Sequence, residues 1–276
     1  HQFPAALTDL RGVLAAEPKN AQAWLTLATV LTVQGDYANA TSGCARLSSL
    51  STELITVACI AQVGALTGRA QPSENLLALT LERNGATAPE LQVWVLTLLA
   101  EMAQRRDAAT VAEQRFEQAL ALSPNDSYLL GAYADFLLEQ QRPSRVTALL
   151  ADQTRIDALL LRRALALQQL RQPAALATDV AELAARFDAA MLRGDTVHQR
   201  EQARFELLRG NPAGALILAR KNWAVQKEPA DMRIYLDAAL QAGDRAAAQP
   251  VIDWIASNKT EDATATRLIR QLAKRT

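Results

Sequence analysis

Proline or glycine interrupts the chain at Pro18, Gly35, Gly68, Pro89, Pro124, Pro143, Pro173, Gly210, Pro229 and Gly243. The stretches between these breakers keep the apolar spacing of a helix buried on one face, and each is long enough for about three to four turns. Paired helices of that length cannot bury their faces alone, so the recurrence confines the chain to a stack in which each pair covers the next. Pro72, Pro143, Pro173 and Pro212 stand where a helical segment begins. A first-turn proline loses no hydrogen bond, so these four mark second-helix starts. Pro250 lies inside RAAAQPVIDWIA and predicts a kinked helix or one that begins late.

Composition agrees with helix throughout. Half of the 276 residues are hydrophobic, dominated by Ala and Leu, and no long Val, Ile or Thr alternation supports a sheet. Twenty-nine basic residues balance 29 acidic ones, so there is no net field to draw in nucleic acid or an acidic membrane surface. Every apolar run is broken too soon to span a bilayer, which argues against membrane insertion. The chain opens on His1 with Phe3 already in a helical pattern, as if something had been removed ahead of it. Two cysteines suit an exported, periplasmic protein or a cytoplasmic one, and localisation stays open.

Within residues 21 to 40, Trp24, Leu27, Ala28, Leu31, Gly35, Tyr37 and Ala40 fall at spacings that resemble the tetratricopeptide repeat. A second copy shows in AATVAEQRFEQALALSPND through Ala112, Phe116, Ala119 and Pro124, with Asp107 near the usual turn glycine. Residues 3 to 18 resemble the second helix of a copy whose first helix is absent. Weaker copies occupy 54–85, 127–152, 157–193, 196–227 and 230–257. The resemblance implies an all-α, right-handed superhelical solenoid of antiparallel helix pairs, about 16 helices in all. It implies one domain over 1–276, with a partial repeat at 1–19, regular repeats at 20–152, divergent ones at 153–257 and a capping helix at 258–276. Trp223 and Asn222, late in a second helix, read as core and turn residues.

In such repeats the first helices line a concave face where partners bind. That phase projects Gln22, Thr29, Gln62, Trp94, Glu101, Tyr128, Asp135 and Glu139 into the groove, followed by Gln168, Gln169, Arg200, Arg204, Arg233 and Asp237. Arg200, Arg204 and Arg233 could hold a peptide carboxylate through paired charge-assisted hydrogen bonds. Alternatively Arg200 and Arg204 pair with Glu201, Glu206 or Asp237 and only tie irregular repeats together. Cys44 and Cys59 fall on neighbouring helices, either as a disulfide or as two buried thiols.

Motifs for catalysis or cofactor binding are missing: no phosphate loop, no nucleophile elbow, no zinc spacing. His198 and Glu201 share a helix face, but a second such pair is absent. Arg193, Gly194 and Asp195 spell an adhesion-like tripeptide, yet Gly194 reads as a helix end and Thr196 with Gln199 as a capping box. The expected function is non-catalytic: a scaffold binding a protein or peptide in the concave groove, with no cofactor and no metal. The alternatives are a regulatory sensor of a small peptide or metabolite and, with less behind it, an enzyme centred on His198 and Glu201.

Overall fold

The computed structural model describes residues 2–85, 87–195 and 198–274. Among them run sixteen α-helices and one short 3-10 turn, with no strand. Helix α1 (Phe3–Ala16) precedes the first pair, α2 (Ala21–Gln34) and α3 (Tyr37–Arg46). Then come α4 (Glu53–Leu66) with α5 (Ala70–Arg83), α6 (Pro89–Arg105) with α7 (Ala109–Leu122), and α8 (Ser127–Glu139) with the short α9 (Pro143–Leu149). The long α11 (Pro173–Leu192) pairs with α10 (Asp157–Gln169), and α13 (Pro212–Val225) with α12 (Gln199–Leu208). The last pair is α14 (Pro229–Ala242) and α15 (Arg245–Asn258), and α16 (Ala263–Lys274) lies mainly on α14.

Local chemistry explains these boundaries. Asn20, Thr52, Asp126 and Asp244 each accept a backbone N–H from the first turn of the helix they precede. Pro143, Pro173 and Pro212 open α9, α11 and α13, and Pro72 is in the first turn of α5. Helix α15 does not begin late at Pro250: it begins at Arg245, capped by Asp244, and carries the proline inside the helix. The expected capping box cannot be placed, since Thr196 lies outside the described residues. His198 occupies the cap position of α12 without a side-chain capping bond. Asp107, Gln141 and Arg171 adopt the left-handed conformation at inter-helix turns that Gly35 adopts in the first pair.

Small residues bring helices together. Ala28 is fully buried, and a Cβ added to Gly43 would lie 3.2 Å from its methyl carbon. Elsewhere Phe116, Tyr133 and Phe136 fill the space between α7 and α8. Asn222 and Trp223 are both buried on α13. Cys44 of α3 and Cys59 of α4 are joined in the structure, their Cα atoms 5.5 Å apart.

The stack also meets itself. After α13, the backbone N–H of Lys227 donates to the Val33 carbonyl at 2.7 Å, and its ammonium sits 5.5 Å from the ring centroids of both Trp223 and Trp254. Trp254 of α15 lies against Tyr37, 5.9 Å between centroids, and joins the apolar cluster of the first two pairs. Past α15, the Thr260 hydroxyl donates to the Leu66 carbonyl and the Glu261 carboxylate accepts from the Ala70 N–H, each at 3.0 Å. Turns of the first two pairs are thus covered by the last pair and its exit.

Gly35 serves two needs at this junction. Its φ is +80°, and a Cβ there would come within 2.5 Å of the Trp254 ring, whereas Gly243, at φ +68°, has nothing within 4 Å. Alanine at either site should cost about 1–2 kcal/mol from the backbone alone. Only Gly35→Ala must also displace Trp254, so urea unfolding should show it to be the more destabilising replacement. Equal losses would mean that the closure contributes nothing. The second expectation concerns Cys44 and Cys59: unfolded, unreduced protein should titrate no free thiol, and reduction should lower stability by roughly 3 kcal/mol for a loop of this length. Two free thiols after oxidising preparation would contradict the bond.

Candidate functional site

Closure turns the inner face into a cavity of about 380 Å³. All seven first helices contribute to its wall, from Thr32 and Val33 of α2 through Gln62 of α4, Leu98 of α6, Tyr128 of α8 and Arg162 of α10 to Arg200 of α12 and Arg233 of α14. The wall is apolar beside Leu66, Leu98 and Met102 and charged around α8, α12 and α14.

Arginines and carboxylates alternate there across helices. Asp135 of α8 accepts from Arg162 of α10 and Arg204 of α12, each at 2.6 Å. Burial pushes the Asp135 carboxyl up, but the two guanidinium groups outweigh it and hold the group below its usual range. One turn on, Glu139 accepts from Arg233 at 2.8 Å and from Gln104 at 2.9 Å. Arg233 also grips Asp262, the cap of α16, at 2.9 Å. Arg200 donates to Asp231 at 2.6 Å and to Glu228. Asp231 further accepts from Asn222 at 2.7 Å, Gln226 at 3.0 Å and the Glu228 N–H at 2.8 Å, so four donors surround a buried carboxylate. For both Arg200 and Arg233 burial disfavours the charge, and the facing carboxylates more than compensate, so the guanidinium groups are held more basic than usual.

Arg200, Arg204 and Arg233 are therefore brought to the inner face, but each already carries a carboxylate of the chain. Their partners are not Glu201, Glu206 or Asp237. Glu206 bonds Asn211 and Asp237 accepts from Gln241, while Arg200 reaches Glu228 and Asp231 at the start of α14 and Arg204 reaches Asp135 of α8. Burial also pushes the Asp237 carboxyl up. Gln168 donates to the Leu208 carbonyl at 3.2 Å, and Gln169 is exposed away from the cavity wall. Trp94 packs on the Leu54 to Met102 cluster. Gln22 and Thr29 bond within α2. His198 is exposed at the start of α12, while Glu201 lines the cavity.

Gln62, Glu101 and Tyr128 do face the cavity. The Tyr128 hydroxyl donates to Glu101 at 2.9 Å. Tyr128 is 61% exposed and lines the cavity. The Glu101 charge, then burial, pushes its hydroxyl well above the usual range. Burial likewise pushes the Glu101 carboxyl up, against the pull of Arg105. Arg105, like Arg162, is a wall residue that groove phase alone had passed over. Its signal was available, since it stands four residues after Glu101 and so shares its helix face.

The geometry defines an all-helical, tetratricopeptide-like repeat protein, in which antiparallel pairs turn their first helices to a common inner face. No protein-family model matches the chain, and no curated protein matches it. Among solved structures it is similar to a tetratricopeptide repeat protein from Parabacteroides merdae ATCC 43184, with 13% identity over 98% of this chain and 92% of that one and a TM-score of 0.34. At that score the class rests on the helix pairs of this chain. No helix of the described residues is long and apolar enough to cross a membrane, and no group of three or more His, Cys, Asp or Glu among them could hold a metal ion.

Removing one partner of a buried ion pair strands the other charge, at a typical cost of about 3–5 kcal/mol. Arg200→Gln should fall near the low end, because Asp231 keeps its amide and backbone donors. Chemical denaturation at neutral pH checks this, and an unchanged midpoint would show that those donors suffice alone.

Proposed function

We propose that the protein is a non-catalytic binding module that takes a small peptide or metabolite into the central cavity. The carrying observation is the closure: with the last pair seated on the turns of the first two, about 380 Å³ remains where seven helices converge. That is small-ligand size, at the lower end of the roughly 300–1,000 Å³ usual for such sites, and short for an extended peptide. The exposed position of His198 supports a binding role over an enzyme built on His198 and Glu201. The three arginines expected to seize a partner's carboxylate serve first to hold the wall. A Cys44–Cys59 bond fits an oxidising compartment.

A second reading has its own support on the outer surface. Met191 and Leu192 of α11 and Ile217 of α13 are exposed, Leu192 by 90%. Apolar residues on second helices suit contact with a protein, which would make the module a scaffold or, combined with the cavity, a sensor with an output face.

Thermal-shift screening of metabolites and of peptides from about two to about twelve residues tests the cavity reading. Stabilisation should come from compounds the cavity can hold and fade as peptides outgrow it, and Ala132→Trp, which fills part of the wall, should abolish it. Binding by the longest peptides alone, untouched by Ala132→Trp, would move the site off the inner face.

A further inference from the structure

Two opposite charges on the cavity wall are left without an ion-pair contact among the described residues. Arg105, at the end of α6, is only 8% exposed, yet it makes no hydrogen bond and no ion pair among the described residues, and its Nε is shut away from water. Arg162, Arg200 and Arg233, the other arginines of the wall, each hold a carboxylate. Glu101, one turn before Arg105, is in the complementary position. It accepts the Tyr128 hydroxyl but has no cation within ion-pair distance among the described residues. A guanidinium and a carboxylate thus share one face of α6 without satisfying each other.

Resting on the cavity being a ligand site, we propose that it binds a small zwitterion, a free α-amino acid or a peptide of two or three residues, with the ligand's carboxylate on Arg105 and its ammonium on Glu101. Arginine suits the first contact because its planar fork matches a carboxylate through two parallel hydrogen bonds. A buried, unpaired charge is costly, and an incoming carboxylate relieves that cost. A simple anion suits the site less well. Four arginines (105, 162, 200, 233) and four carboxylates (Glu101, Asp135, Glu201, Glu228) line the cavity, so a ligand with both charges keeps the balance and an anion upsets it. Next to the pair, Leu66, Leu98 and Met102 offer an apolar surface, which favours an aliphatic side chain on the ligand. Gln62, whose amide makes no hydrogen bond among the described residues, lines the same cavity and can meet a peptide or carboxylate oxygen.

The probes are the twenty free amino acids and a set of aliphatic dipeptides, followed by calorimetric titration of the best binder, its N-acetyl form and its C-terminal amide. The parent compound should bind, and loss of either charge should weaken it by roughly ten-fold or more, the equivalent of about 1.4 kcal/mol. Arg105→Gln should weaken the parent to the level of the amide and leave the amide's own binding unchanged, with Arg105→Lys intermediate. Glu101→Gln should do the same toward the N-acetyl form. The blocked compounds are compared on the unaltered protein, so the proposal stays testable if a variant fails to fold. Equal binding of parent and N-acetyl form would make this a plain anion site and overturn the proposal. So would indifference to Arg105→Gln in a folded variant, or binding of uncharged metabolites in place of the zwitterions, which would still leave the cavity a ligand site. Binding of no small compound at all would overturn both the zwitterion and the small-ligand reading.

Discussion

The inner face exists as a cavity because the last helices of the chain find the first turns. A helix leaves its final carbonyls and first N–H groups without partners, and these must be met by water or by other groups. Val33 and Leu66 offer such carbonyls at the ends of α2 and α4, and Ala70 such an N–H at the start of α5. Lys227, Thr260 and Glu261 meet them from the far end of the chain. The same junction buries Trp254 against Tyr37 and sets the Lys227 ammonium between two indole rings, so polar satisfaction and apolar contact reinforce each other. Simple repeat stacks depend on nearest neighbours only. Here residues nearly two hundred positions apart share in holding the curvature.

Given that closure, charges on successive first helices face one another along the inner wall. Isolated ions would be expensive there, and the chain answers with arginine between carboxylates: Asp135 between Arg162 and Arg204, Arg233 between Glu139 and Asp262. These pairs join α8, α10, α12, α14 and the start of α16. Ion pairs of fixed geometry give the cavity a rigid polar wall, which limits the reorganisation a ligand must cause. Arg105 and Glu101 stand out against this wall because the same chemistry is left incomplete at them.

Legibility varied along the chain for physical reasons. Pro143, Pro173 and Pro212 announced their helices because a ring-locked φ and a missing N–H allow few other positions. A turn glycine was no guide to how clearly a copy showed: the copy that turns at Asp107 was plain, whereas those that turn at Gly68, Gly210 and Gly243 were weak, because the large and small packing residues of the helices carry the pattern. Pro250 left two readings open, of which the late start fell because Asp244 caps a helix that already begins at Arg245. Groove phase placed Glu101, Tyr128, Asp135, Arg200 and Arg233 on the cavity wall, since residues four apart on one helix keep a common face. It could not say what each would meet.

By itself the sequence determined the helices, their pairing and part of the inner face, because helical period, breakers and caps act within a few residues of one another. Only the tertiary structure decided that the stack closes, that Asp231 and not Glu201 holds Arg200, that Asp135 holds Arg204, and that Arg105 is left alone with Glu101. Those outcomes depend on small rotations between successive pairs, summed over seven of them. No local pattern carries that sum, yet it sets whether two side chains on distant helices meet or leave a cavity between them.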